Sequence, residues 1–148
     1  MSIVVGGKTS SCYVCGPDNA LGLLVHFEQD GAEGSSAHYT ARPDHGGWNG
    51  ILHGGITFSR THQALGWALF FQGKPSVTAR VQTRFSTPIP IGTRVVIRAW
   101  IIRARSRTFE ARAEVRSDEG AGTLFAEADA TMYRPPETHA LSQRQVSL

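Results

Sequence analysis

Hydrophobic and polar positions divide the chain into segments of two different periods. Leu21, Leu23, Val25 and Phe27 alternate along "LGLLVHFEQD", a period of two that predicts a strand over 21–30. "GAEG" follows as a turn, and "SSAHYTARP" reads as a second, shorter strand. "DHGGWNGILHGG" is too rich in glycine for regular structure and is expected to be loop. From Gly55 to about Gln72 the chain carries Ile56, Phe58, Ala64, Leu65, Trp67, Ala68, Leu69, Phe70 and Phe71, stopped by Gly73 and Pro75. That spacing predicts a helix apolar around most of its circumference, hence a central helix.

Period two then returns. "SVTARVQTRF" sets Val77, Ala79, Val81 and Phe85 against Arg80, Gln82 and Arg84. "TRVVIRAWIIRAR" is long and apolar on both faces. "RTFEARAEVRS" alternates Phe109, Ala111, Ala113 and Val115 with charged residues. "GTLFAEADATMYRP" does the same with Leu124, Ala126, Ala128, Ala130 and Met132. "TPIPIGT" and "SDEGAG" have turn chemistry. Two strands, one helix and four strands predict an α+β fold in which an antiparallel sheet curls around the helix. Ala111, Ala113, Ala126, Ala128 and Ala130 let the strands approach it closely. One domain over 1–136 and a disordered tail over 137–148 are expected.

Composition changes this picture little. The 148 residues are 41% hydrophobic and 18% charged, ordinary for a globular domain able to bury a core. No apolar stretch approaches the ~20 residues of a membrane span, and the N-terminus lacks signal-peptide character; a cytoplasmic protein with no membrane partner is expected. The net charge of +3 is carried almost wholly by arginine, Lys8 and Lys74 being the lysines. The arginines sit at alternate strand positions and not in blocks, which reads as a solvated face and not as a nucleic-acid site. Cys12 and Cys15 form a C-x-x-C. A zinc site would want a second pair and a redox pair a strand-to-helix junction, so structural thiols are expected, with no metal and no cofactor.

One feature fits no simple core helix. Arg60, Thr61, His62 and Gln63 put four polar residues in a row inside the apolar run. "CYVCGPDNALGL", "WNGILHGG", "ALGWAL" and "RFSTPIPIGT", in that order, resemble the hotdog-fold acyl-CoA thioesterases, in the branch of the phenylacetyl-CoA and 4-hydroxybenzoyl-CoA thioesterases. The resemblance covers nearly the whole chain. It implies a small-molecule acyl-CoA or ester substrate and a homodimer or homotetramer with sites shared between subunits. It also implies that the amides of Gly54 and Gly55, at the helix N-terminus, polarise the thioester carbonyl.

The family carries a catalytic carboxylate about two turns further on. Here His62 stands in its place, Gln63 where a glutamate often follows, and Arg60 and Thr61 where apolar residues are usual. No Asp or Glu occurs between Gly54 and Gln72. A neutral imidazole can act as base or nucleophile near pH 7. A protein that binds acyl-CoA or aromatic ligands without turning them over is the alternative. Asn49 and His53, in the loop before the glycines, are candidates for holding the carbonyl or a water, or for capping the turn. Arg60, Thr61, Gln63, Trp48 and Arg84 are candidate substrate contacts, Arg60 for a carboxylate or oxyanion. Trp48, Phe58 and Trp67 suggest an aromatic or medium-length apolar pocket. Asp44, further out in the loop, is a second candidate source of the missing carboxylate.

Overall fold

The computed structural model describes residues 11–119 and 122–135, so the expected C-terminal tail lies outside the described residues. The strands are β1 (Glu28–Asp30), β2 (Gly34–Thr40), β3 (Val77–Phe85), β4 (Arg94–Ala104), β5 (Thr108–Ser117) and β6 (Leu124–Tyr133). A short 3-10 turn, Pro43–His45, and the helix α1, Gly54–Phe71, lie between β2 and β3. The six strands form one sheet in the order β1-β2-β4-β5-β6-β3, each neighbour antiparallel. The helix packs against its inner face, chiefly on β4, β2 and β5.

The inner face follows from the alternation. Val95, Ile97, Ala99 and Ile101 of β4 are buried, with Phe109, Ala111, Ala113 and Val115 of β5 and Ala126, Ala128, Ala130 and Met132 of β6. Strand register aligns Ala99, Ala113 and Ala128 in one row and Ala111 with Ala130 in the next. Small side chains in adjacent rows bring the helix backbone close to the sheet. Ser35 of β2 donates its hydroxyl to the Ala64 carbonyl at 2.7 Å, a buried strand-to-helix tie.

The helix ends where its sequence says it should. Gly73 has φ +66°, which costs glycine nothing. Its N–H bonds the Phe70 carbonyl while the Lys74 N–H bonds that of Leu69, the paired closure of a Schellman motif.

Three details depart from the pattern. The segment before Glu28 lies outside the sheet, with Leu24 at φ +52°: Leu23 and Val25 donate N–H groups to the carbonyls of Tyr13 and Val14. Leu23, Val25 and Phe27 are buried as the alternation implies, but Leu21 is exposed. In β3 the register slips between Thr78 and Arg80, leaving Ala79 as an extra residue. A one-residue slip exchanges faces, so Thr78, opposite buried Met132, occupies the face expected for Val77 and Ala79. On α1 the buried stripe is Thr57, Arg60, Thr61, Ala64, Leu65, Ala68 and Leu69. The larger apolar groups Phe58, Trp67, Phe70 and Phe71 flank that stripe and are partly exposed.

Candidate functional site

Among the described residues, one cleft lies at each end of the polar block of α1. The first, about 660 Å³, opens at the helix N-terminus and is walled by Trp48, Leu52, His53, Gly54, Thr57, Phe85 and Phe125 among others. The loop reaches it by a short bridge from Ile51 to Pro90, with Gly50 at φ +79° making the turn. Trp48, 87% exposed, stands at the edge of this cleft.

The N-terminus of α1 assigns different tasks to its two glycines. His53 is the N-cap, and its Nδ1 accepts the Gly55 N–H at 2.9 Å. A Cβ on Gly55 would meet that nitrogen at 2.9 Å, so glycine there makes room for the cap. The N–H groups of Ile56 and Thr57 return to the His53 carbonyl. Gly54 lines the cleft, and no hydrogen bond to its N–H occurs among the described residues. It is the first-turn amide available to a ligand, at the positive end of the helix dipole.

The second cleft, about 310 Å³, is walled by His62, Gln63, Gly66, Trp67, Phe70, Ser76, Val77, Thr78 and Met132. His62 Nε2 lies 2.8 Å from Thr78 Oγ1, and the imidazole stacks on Phe58 with centroids 5.9 Å apart. Burial holds its pKa below the ordinary histidine value, because the charged ring would lose its hydration. A neutral imidazole beside a hydroxyl in an apolar cleft can accept a proton. Gln63 donates its amide to Cys15 Sγ at 3.4 Å. Burial pushes the Cys15 thiol up to about 11. At Cys12 burial is outweighed by hydrogen bonds from the following backbone and Cys15, and the thiol is lowered. Both cysteines are free.

Between the clefts the helix buries Arg60 and Thr61. Thr61 donates its hydroxyl to the Thr57 carbonyl at 2.8 Å, a bond internal to the helix. Arg60 is 2% exposed, its guanidinium carbon 3.8 Å above the Tyr39 ring. Burial lowers its pKa.

The structure therefore brings the expected site residues together in two groups. Trp48, His53 and Gly54 share the first cleft, and His62 and Gln63 the second. Gly55, Asn49, Arg60, Thr61 and Arg84 line neither. Asp44 is forked by Arg42 at the surface, with Arg42 Nε donating at 2.9 Å, and that guanidinium holds its carboxyl below the usual range. Thr57, Phe85 and Phe125 of the first cleft, and Thr78 and Met132 of the second, are partners the sequence reading lacked. Thr78 was hidden by the bulge. Among the described residues no three His, Cys, Asp or Glu side chains gather as a metal site would need. No described helix is long and apolar enough to cross a membrane.

The sequence model of the Thioesterase superfamily matches residues 49–123, which take in the cap, the whole helix, β3, β4 and β5. The chain belongs to the thioesterase superfamily. Solved structures agree on its hotdog fold. The thioesterase superfamily protein RHA08564 is 23% identical over 86% of this chain, with a TM-score of 0.79; the match spans 62% of that longer protein. A point mutant of the phenylacetic acid degradation protein PaaI from Thermus thermophilus is 26% identical, covering 75% of this chain and 93% of its own, with a TM-score of 0.68. The smu.793 protein from Streptococcus mutans UA159, solved bound to acetyl CoA, is 16% identical over 76% of this chain and 90% of its own, with a TM-score of 0.70. No curated protein sequence matches the chain.

Proposed function

We propose that this superfamily member is a hydrolase of acyl-CoA thioesters or activated esters, its acyl carbonyl held by the Gly54 amide and its base His62. The observation that carries this reading is the unshared Gly54 N–H at a helix N-terminus, opening on an apolar cleft. Such a donor is placed to stabilise the oxyanion that forms when a thioester carbonyl is attacked. The acetyl CoA bound to smu.793 supports a CoA thioester as ligand class.

Within one chain His62 is just over two turns from the helix start, roughly 12 Å along the axis, and faces the other cleft. The proposed resolution is a homodimer. β3 is a sheet edge of nine residues with exposed Val77 and Phe85 near its ends. The opposite edge, β1, is three residues long and carries Glu28 and Asp30. Shortness protects an edge from pairing, whereas β3, with Arg80 and Arg84 its charged residues, is long enough to pair. A second copy paired along β3 runs its helix antiparallel to this one. Phe58, midway between residues 54 and 62 and 38% exposed, would lie near the two-fold axis. The His62 of each copy would then approach Gly54 of the other.

The test is a panel of acyl-CoA and p-nitrophenyl esters assayed with the native chain and His62→Ala. Hydrolysis by the native chain, lost in the variant, supports the reading. A native chain inert on the whole panel but binding CoA thioesters would favour the ligand-binding alternative, which the missing helix carboxylate motivates.

A further inference from the structure

We infer that Arg60, with Tyr39 and His45, forms a carboxylate receptor behind the wall of the first cleft, and that the acyl groups taken there end in a carboxylate. This rests on the reading of that cleft as the acyl site, and deepens it by naming the substrate class.

Arg60 is the largest fully buried side chain of the described residues, and it is a cation. A guanidinium taken out of water needs an anion or a full set of acceptors. Arg60 has neither. Among the described residues its Nε and Nη1 have no hydrogen-bond partner, and its Nη2 reaches only His45 Nδ1, at 3.4 Å. No ion pair of the described residues includes it, and Asp44, next in sequence to His45, is taken by Arg42. The Tyr39 hydroxyl, on the ring beneath the guanidinium, is also buried without a hydrogen-bond partner among the described residues. A second donor is thus unsatisfied beside the first.

The shape of these donors selects the ligand. A guanidinium grips a carboxylate through two parallel N–H groups, and each of its two-pronged faces uses Nη2 with either Nε or Nη1. Nη2 is the nitrogen held by the long contact to partly exposed His45. An incoming carboxylate would displace one weak contact and complete a fork. A single cation in a closely packed site matches one negative charge better than the double charge of a phosphate monoester.

Position links the receptor to the cleft. Thr57, one turn before Arg60 on the same buried stripe, is in the cleft wall, and so is Gly46, next to His45. Along the axis Arg60 lies about 9 Å beyond Gly54. A short acyl chain whose carbonyl rests on Gly54 would carry its far end toward Arg60.

Two probes separate the possibilities. N-ethylglutaramate carries an amide in place of the thioester and a carboxylate at the far end. N-ethylpentanamide is the same chain ending in methyl. Each is titrated at pH 7 into the native chain, Arg60→Met and Arg60→Lys, following the Gly54 amide and the Arg60 Nε by ¹⁵N NMR, with a thermal melt of each variant. The expected result is that the carboxylate binds the native chain at least about tenfold tighter, the scale of one charge-assisted hydrogen bond. It should shift the Arg60 Nε, lose its advantage in Arg60→Met, and keep part of it in Arg60→Lys. Equal binding of the two probes, both moving Gly54 and neither moving Arg60, would overturn the receptor and leave the acyl cleft standing. An Arg60 shift without a Gly54 shift would support the receptor and sink the cleft as acyl site. A carboxylate preference that survives Arg60→Met overturns the inference, as does a failure of both probes to bind. Should Arg60→Met fail to fold, the Arg60 Nε signal and Arg60→Lys decide alone.

Discussion

From Thr57 to Thr61 the buried face of α1 is polar, and it includes a guanidinium; from Ala64 to Leu69 the same face is wholly apolar. Both halves are closed off from solvent to the same degree: Leu65 and Leu69 are 0% exposed and Arg60 is 2% exposed. Both also pack on a sheet whose inner face is mostly alanine, valine and isoleucine. The second half holds the fold together by removing apolar area from water. The first half gives up part of that gain, since a buried cation without an anion opposes folding. A domain of this size has only a modest stability margin to spend on such a position. The cost falls one turn beyond Thr57, a wall residue of the first cleft that the Gly54 amide faces, where a ligand can return it. The burial pattern of a helix therefore does not reveal which of its turns serve the fold and which serve a site.

Breaking the apolar half should have the largest effect. Leu65→Ala removes a fully buried side chain from the centre of the core, and the expected loss is about 2–5 kcal/mol. The urea midpoint should fall with little change in slope. A loss under about 1 kcal/mol would show that this half is not the structural one.

The polar half should respond in the opposite sense. Arg60→Met keeps a long side chain over the Tyr39 ring and removes the uncompensated charge. Relief of desolvation exceeds the lost cation–π attraction, so a gain of about 1–2 kcal/mol without ligand is expected. The same denaturation measurement checks it. A destabilised Arg60→Met would mean that the guanidinium is satisfied in solution and contributes to the fold.

A weaker handle on the same contrast is pH. Burial lowers the pKa of His62 and, with help from the Arg60 charge, that of His45. Each binds its proton less readily folded than unfolded, so stability is fully present above the unfolded value, about 6.5, and is lost as pH falls through and below it. Stability between pH 7.5 and 5 should therefore decline less in a His45→Ala, His62→Ala double variant than in the native chain. If His62 is the catalytic base, hydrolysis should rise with pH to a midpoint below about 6.5 and then level off, and His62→Ala should remove that rise. Parallel stability curves for the double variant and the native chain would place both histidines in water-like surroundings.

Much of this architecture was legible in the residues and some was not, for physical reasons. Strict alternation fixes faces, so the inner rows of β5 and β6 could be read directly. A bulge adds a residue without a compositional mark, so the inward turn of Thr78, the hydroxyl beside His62, was invisible. The helix was expected to bury its aromatics, yet Phe58 is partly exposed and Arg60 is not. Hydrophobicity alone cannot order a helix face when the buried positions are chosen for something besides packing. Gly54 and Gly55 were read together as the helix start, and the structure gives them different neighbours, Gly54 in the first cleft and Gly55 under the His53 cap. That His53 engages the Gly55 amide depends on one rotamer, which no spacing encodes.

Thr61 offers the smallest test and the finest division of the helix. Like Arg60 it is polar, buried and next to the cleft residue Thr57, yet its hydroxyl bonds the carbonyl four residues back. That carbonyl already accepts a helical N–H, so the hydroxyl satisfies no group that would otherwise be orphaned. Valine has nearly the same shape and leaves no donor unpaired on the helix. Thr61→Val should therefore change stability by no more than about 0.5 kcal/mol in either direction, and ligand binding not at all. The result divides the polar half into a residue that only fills space and one, Arg60, that waits for an anion. A loss above about 2 kcal/mol, or a weakened affinity for N-ethylglutaramate, would place the Thr61 hydroxyl in the receptor and extend it by one turn toward the second cleft.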